Sequence, residues 1–135
     1  GIKYLSNESV LIKVKGETLN LFGGDSLWAE RLELAELSAF KKKDISLALI
    51  HNPAAIYKTQ NYNVDLIMSG HTHGGQVRLP FVGPLVKVSS KVPKEWHKGM
   101  VEYNGQKMFV TSGAGETGTR ARLFNFPEIV LLTIY

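Results

Sequence analysis

Four of the 135 residues are histidines, and two of them, His71 and His73, stand one residue apart in the stretch DLIMSGHTHGGQVRLP. Imidazole is the commonest neutral metal ligand, and it reaches an ion from loop tips where the backbone bends closely. The flanking Gly70, Gly74 and Gly75 permit such bends. Residues i and i+2 of an extended segment project to one side, so the sequence predicts that His71 and His73 face a common site. A third histidine, His51, ends another apolar run, ISLALI. The fourth, His97, lies in a proline-containing stretch beside Trp96 and reads as structural.

Composition narrows the chemistry. The chain has no cysteine, so any metal must bind to nitrogen and oxygen. A formal charge of +4 suits an anionic ligand, but the lysines are scattered and no basic run interleaves with aromatics. Phosphate is therefore expected as the ligand chemistry, and nucleic acid is not. The length suits one domain with its own core. No apolar stretch approaches the roughly 20 residues of a spanning helix, so this stretch of chain is expected to be soluble.

The elements that position the histidines follow from periodicity. ESVLIKVK alternates, with Val10, Ile12 and Val14 on one face, and Gly16 turns it into TLNLF, which predicts a hairpin. In DSLWAERLELAELSAFKKK, Trp28, Leu32, Ala35 and Ala39 recur at helical spacing with Asp25 or Ser26 as cap, which predicts an amphipathic helix. ISLALI (45–50) and VDLIMS (64–69) read as buried strands around a short helix opened by Asn52 and Pro53. Strand, helix and strand at this spacing resemble a parallel crossover, whose carboxyl-terminal crevice would hold His51, His71 and His73. Residues 80–99 read as a long loop with one short strand, KMFVTS as a strand, SGAGETG as a turn and EIVLLTIY as a closing strand. The predicted class is α/β (α+β).

IHNP at 50–53, followed by GHTHGGQ at 70–76, resembles the last two metal-ligand motifs of the calcineurin-like metallophosphoesterases. The likeness extends to GIKYLSNESV and to VTSGAGETGTRARLFNFPEIVLLTI, which is similar to the closing segment of a bacterial branch of predicted phosphohydrolases. The resemblance implies a four-layer αββα sandwich, of which residues 1–135 form the C-terminal portion of a single domain. It also implies a dinuclear centre of manganese, iron or zinc, with His51 and His71 on one ion, His73 on the other, and a metal-activated water as nucleophile. Arg122, Gly74 and Gly75 match positions that would meet the substrate, a phosphorylated small molecule or a lipid-linked phosphodiester or pyrophosphate.

The family's first three motifs, Asp-x-His, Gly-Asp-x-x-Asp and Gly-Asn-His-Asp or Glu, do not occur in these residues. Asp25 in GGD reads as a cap before it reads as a substitute ligand. The 135 residues alone are thus expected to be weak or inactive and to self-associate through apolar surface, with residues preceding Gly1 in the complete protein. Membrane association through regions outside this stretch stays open, as does a cytoplasmic location. So do two rival readings, a non-catalytic interaction module of the same fold and a mononuclear zinc protein built on the three histidines.

Overall fold

A computed structural model describes residues 1–86, 91–118 and 120–134. Eight strands organise it: β1 (Glu8–Val14), β2 (Glu17–Gly23), β3 (Ile45–Leu49), β4 (Leu66–Ser69), β5 (Arg78–Leu79), β6 (Gly83–Pro84), β7 (Gly99–Tyr103) and β8 (Gln106–Val110). Six form one sheet in the order β1-β2-β3-β4-β8-β7, and β5 pairs with β6. Both predicted hairpin strands are present, antiparallel through Val14↔Glu17, with Gly16 at φ +89° in the turn. β2, β3, β4 and β8 run parallel, so the expected crossover between residues 45–50 and 64–69 is observed. The class is a sheet-rich mixed α/β fold, and helix among the described residues is confined to short 3-10 turns. None of these is long and apolar enough to cross a membrane.

The core lies on one face of the sheet. Register places Phe22, Ala48, Ile67, Met108 and Val101 in one row across five strands, and all are buried. Connections pack onto that row through Leu27, Leu37, Phe40, Ile50, Ala54, Ala55 and Ile56. The opposite face is also apolar, with Leu21, Leu47 and Leu66 in one row and Leu49, Met68, Phe109 and Met100 in the next. This face is only partly covered: Leu49 is 40% exposed and Met100 61%.

Two predicted elements are absent. The amphipathic helix over 25–43 is replaced by a turn and a 3-10 segment at Ala35–Ala39. Asn7 accounts for much of the change, because its Oδ1 accepts the N–H groups of Asp25 and Glu33 while its Nδ2 donates to the Arg31 carbonyl. Those backbone groups are thereby drawn into tertiary contacts, and Glu30 turns left-handed at φ 57°. The buried positions become Leu27, Leu37 and Phe40, leaving Trp28, Ala35 and Ala39 exposed. Residues 128–134 of EIVLLTIY form no strand: Ile129 is 96% and Leu131 91% exposed. A strand needs a neighbouring strand to take its backbone hydrogen bonds in register; here Glu128 N–H donates to the Gly113 carbonyl at 3.1 Å, and no strand pairs with the segment among the described residues. Part of the 80–99 loop, residues 87–90, lies outside them too.

Ile67 is fully buried at the centre of the core row, two residues before Ser69, the strand end that leads to His71. Ile67→Ala is expected to cost about 2–5 kcal/mol of stability, read as a lower denaturant midpoint with an unchanged slope.

Candidate metal centre

Parallel pairing delivers His51 and His71 to the same edge of the sheet. Pairing continues past the strands themselves: Ile50 N–H donates to the Met68 carbonyl (3.1 Å) and Gly70 N–H to the His51 carbonyl (3.0 Å). Ser69 Oγ donates to the Ile50 carbonyl at 2.7 Å, which ties the two strand exits together. The His51 and His71 rings meet edge-on, centroids 5.2 Å apart at 79°. Trp28 stands on the other side of His71 at 5.4 Å. Sequence periodicity had assigned Trp28 to a buried helix face, so its place here carried no signal in the sequence.

These rings open into a groove of about 430 Å³, lined also by Tyr4, Asp25, Arg31 and Asn52. Asn52 caps the 3-10 turn Pro53–Tyr57 through Oδ1 to the Ala54 N–H (2.9 Å), as expected from Asn-Pro. Its Nδ2 is buried without a hydrogen-bond partner. Asp25 is occupied: it accepts from Ser26 N–H (2.5 Å) and Ser6 Oγ (2.9 Å) and lies 3.3 Å from Arg31. Those hydrogen bonds lower its pKa. The turn that follows is capped by Ser26, whose Oγ accepts from the Ala29 N–H at 3.1 Å, and Asp25 holds the residues around its start.

The GHTHGGQ turn is not extended. His71, His73, Gly74, Gly75 and Gln76 all have positive φ, between 47° and 80°. Projection to one side by strand alternation is thus replaced by a left-handed coil that sends the two histidines to different neighbours. His71 joins His51 and Trp28, while His73 sets Nδ1 3.0 Å from the Gly115 carbonyl. Left-handed backbone costs a non-glycine residue on the order of 1 kcal/mol, so strain in this turn falls on His71, His73 and Gln76. Gly74 and Gly75 are required by packing, since a Cβ would stand 2.6 Å from the Asn125 side chain and 2.4 Å from Pro84.

Arg122 points into the closing loop. Its guanidinium donates to the carbonyls of Ser112 (2.9 Å), Gly113 (3.2 Å), Asn125 (3.3 Å) and Gly115. Arg78 donates to the Gly74 carbonyl at 3.0 Å. Gln76 accepts from Thr117 N–H at 2.5 Å. His97 is fully buried, and its carbonyl accepts from Thr72 Oγ1 at 2.7 Å, a structural place.

The donors suit a divalent ion in kind. Desolvation lowers the pKa of His51 and of His71, and the positive charge that nearby His73 can carry lowers both further, so the neutral ligating form is favoured. Nε2 of His71 is buried with no hydrogen-bond partner. In number the donors fall short: among the described residues no three His, Asp or Glu side chains converge closely enough to hold a metal.

Comparison with known proteins adds identity to this geometry. The chain is 38% identical over 98 residues to a protein named uncharacterized metallophosphoesterase YkuE from Bacillus subtilis, covering 73% of this chain and 34% of that one. It is 30% identical over 135 residues to phosphodiesterase YaeI of Escherichia coli (99% and 48%). It is 29% identical over 137 residues to UDP-2,3-diacylglucosamine pyrophosphatase LpxG of Chlamydia muridarum (95% and 40%). The chain thus spans about a third to a half of the length of these relatives. No family model and no solved structure matches.

Both lowered histidines bind protons more readily in the unfolded chain, so they stabilise the fold above the ordinary imidazole value of 6.5 and withdraw that stability as pH falls through their lower folded values. The unfolding midpoint should therefore decline from neutral to mildly acidic pH. His51→Gln with His71→Gln should flatten that decline.

Proposed function

Because this chain is of the bacterial metallophosphoesterase type, matching part of the length of those proteins, we propose that it carries the histidine side of a phosphohydrolase centre. The observation that supports the reading is the meeting of His51 and His71 at adjacent parallel strand ends, with Nε2 of His71 buried and unpartnered. In this reading His51 and His71 hold one divalent cation and His73 a second, each manganese, iron or zinc. The bridging and acidic ligands come from motifs outside these 135 residues. Such a pair of ions supplies a polarised phosphate oxygen and a bound water acidic enough to attack phosphorus.

The chain's own contribution is orientation and exclusion of water. Trp28 shields one side of His71, and Asn52, with Nδ2 buried and unpartnered, stands in the wall of the same groove. Gly74 and Gly75 let Asn125 and Pro84 close behind the turn. The substrate is a phosphodiester or pyrophosphate, small or lipid-linked; the names of the E. coli and chlamydial relatives support both classes.

The same reading makes residues 1–135 the C-terminal portion of one four-layer domain, with the half-open apolar sheet face as its inner surface. By itself the chain is then weak or inactive, since no three ligating side chains converge among the described residues. Its open apolar face would favour self-association.

In the complete protein, His71→Ala and His73→Ala should each lower metal content and cut hydrolysis of a generic phosphodiester by more than the roughly 10–100-fold that loss of an outer-shell partner costs, with circular dichroism unchanged. Unchanged turnover in either variant overturns the ligand assignment.

A further inference from the structure

Arg122 is drawn into the interior of a glycine-rich loop. One guanidinium collects the carbonyls of Ser112, Gly113, Gly115 and Asn125, and no hydrogen-bond partner is present for its buried Nε. The loop cannot hold this shape through its own backbone, because Gly113 and Gly118 sit at φ +60° and +62° and residues 111–118 contain no regular element. Two of the four carbonyl-bearing residues reach His73. The Gly115 carbonyl lies 3.0 Å from His73 Nδ1, and Asn125 donates from Nδ2 to the His73 carbonyl at 2.7 Å.

We propose that Arg122 is a positioning residue for His73: by gathering the 112–125 loop it presents the Gly115 carbonyl to Nδ1 and so selects the ring tautomer. A carbonyl oxygen only accepts, so a neutral His73 ring making this hydrogen bond carries its proton on Nδ1 and leaves the Nε2 lone pair outward. A hydrogen bond from the second ring nitrogen is the usual device that fixes a ligating imidazole. Here the device has a further support behind it, in the order Arg122, Gly115 carbonyl, His73 ring. Asn125 acts in parallel on the strained backbone of His73, which sits at φ 47°. Arginine suits the role because its rigid planar fork carries five donors and spans four carbonyls, whereas an ammonium has three donors on a flexible stem and holds them less firmly.

The test is nitrogen-15 NMR of the histidine rings in the full chain without metal, at a pH above the imidazole range. Wild-type His73 should show the Nδ1–H tautomer with a slowly exchanging ring proton. A ring protonated on Nε2 overturns the proposal, whatever the variants do. Arg122→Lys should yield a mixed-tautomer ring with a fast-exchanging proton while the unfolding midpoint still reports a folded chain. A folded Arg122→Lys variant that keeps the wild-type ring signature also overturns it, because a merely structural arginine would alter stability and leave the tautomer alone. If Arg122→Lys does not fold, Asn125→Ala with the arginine intact should retain the tautomer, and its loss there would assign the control to Asn125 instead. A second readout, which rests on the proposed metal centre, is the manganese isotherm of the complete protein: Arg122→Lys should weaken the His73-dependent ion by about 10–100-fold. Altered tautomer with unaltered metal binding would reject the metal reading and keep the Arg122–His73 link.

Discussion

Everything at the candidate centre depends on the parallel pairing of β3 with β4. Parallel strands leave a sheet at the same edge, and here the register Leu49↔Met68 brings the residues after each strand level with one another. Antiparallel pairing would have sent His51 and His71 to opposite ends. The register is over-determined by burial: Ala48 and Ile67 must meet on the covered face, and a slip of one residue would exchange them for Leu47 and Leu66. The hydrophobic row thus supplies the free energy that keeps two imidazoles 5.2 Å apart while water competes for both.

Much of this frame was legible in the sequence, for identifiable reasons. ISLALI and VDLIMS are short, unbroken apolar runs bounded by Asn-Pro and by glycine, and a strand buried in a parallel sheet has that form. Asn52 capped its turn as its type and place suggest. The stretch after Asp25 was not legible, because its leucines and alanines satisfy helical spacing and only Asn7, 18 residues earlier than Asp25, overrides it. Within the site, GHTHGG marked a sharp turn but not the direction of its side chains: His71 meets His51, and His73 turns to the Gly115 carbonyl. Four consecutive residues from His73 to Gln76 take positive φ, a backbone path that strand alternation cannot describe.

The closing segment EIVLLTIY shows why local pattern can be right about chemistry and silent about partners. Its β-branched and leucine content suits a strand, yet among the described residues no strand edge takes its backbone. Glu128 fastens its start: the carboxylate pairs with Lys98 at 2.6 Å and accepts from the Ser112 N–H at 2.8 Å and Thr111 Oγ1 at 3.0 Å, and the Glu128 N–H donates to the Gly113 carbonyl at 3.1 Å. These contacts hold its pKa down to about 2 against the opposing cost of burial. Beyond this anchor the apolar side chains lie open, as do parts of the second sheet face. Two apolar surfaces left open in one small domain have a common physical remedy, further packing.

The turn that carries His71 and His73 stores strain, and strain must be balanced by contacts elsewhere. Its own residues supply few. The Gly74 carbonyl is held by Arg78, the His73 carbonyl by Asn125, and the Gln76 carbonyl accepts from the Leu123 N–H while the Arg78 N–H donates to the Leu123 carbonyl. Each support comes from chain that follows the turn, mostly from residues 112–125. The closing loop therefore supports the turn that carries the histidines, and its Arg122 donates to carbonyls of its own loop. With its guanidinium engaged by four backbone carbonyls, Arg122 shapes the loop that meets His73 at the Gly115 carbonyl, and the role proposed for it is exerted through that contact.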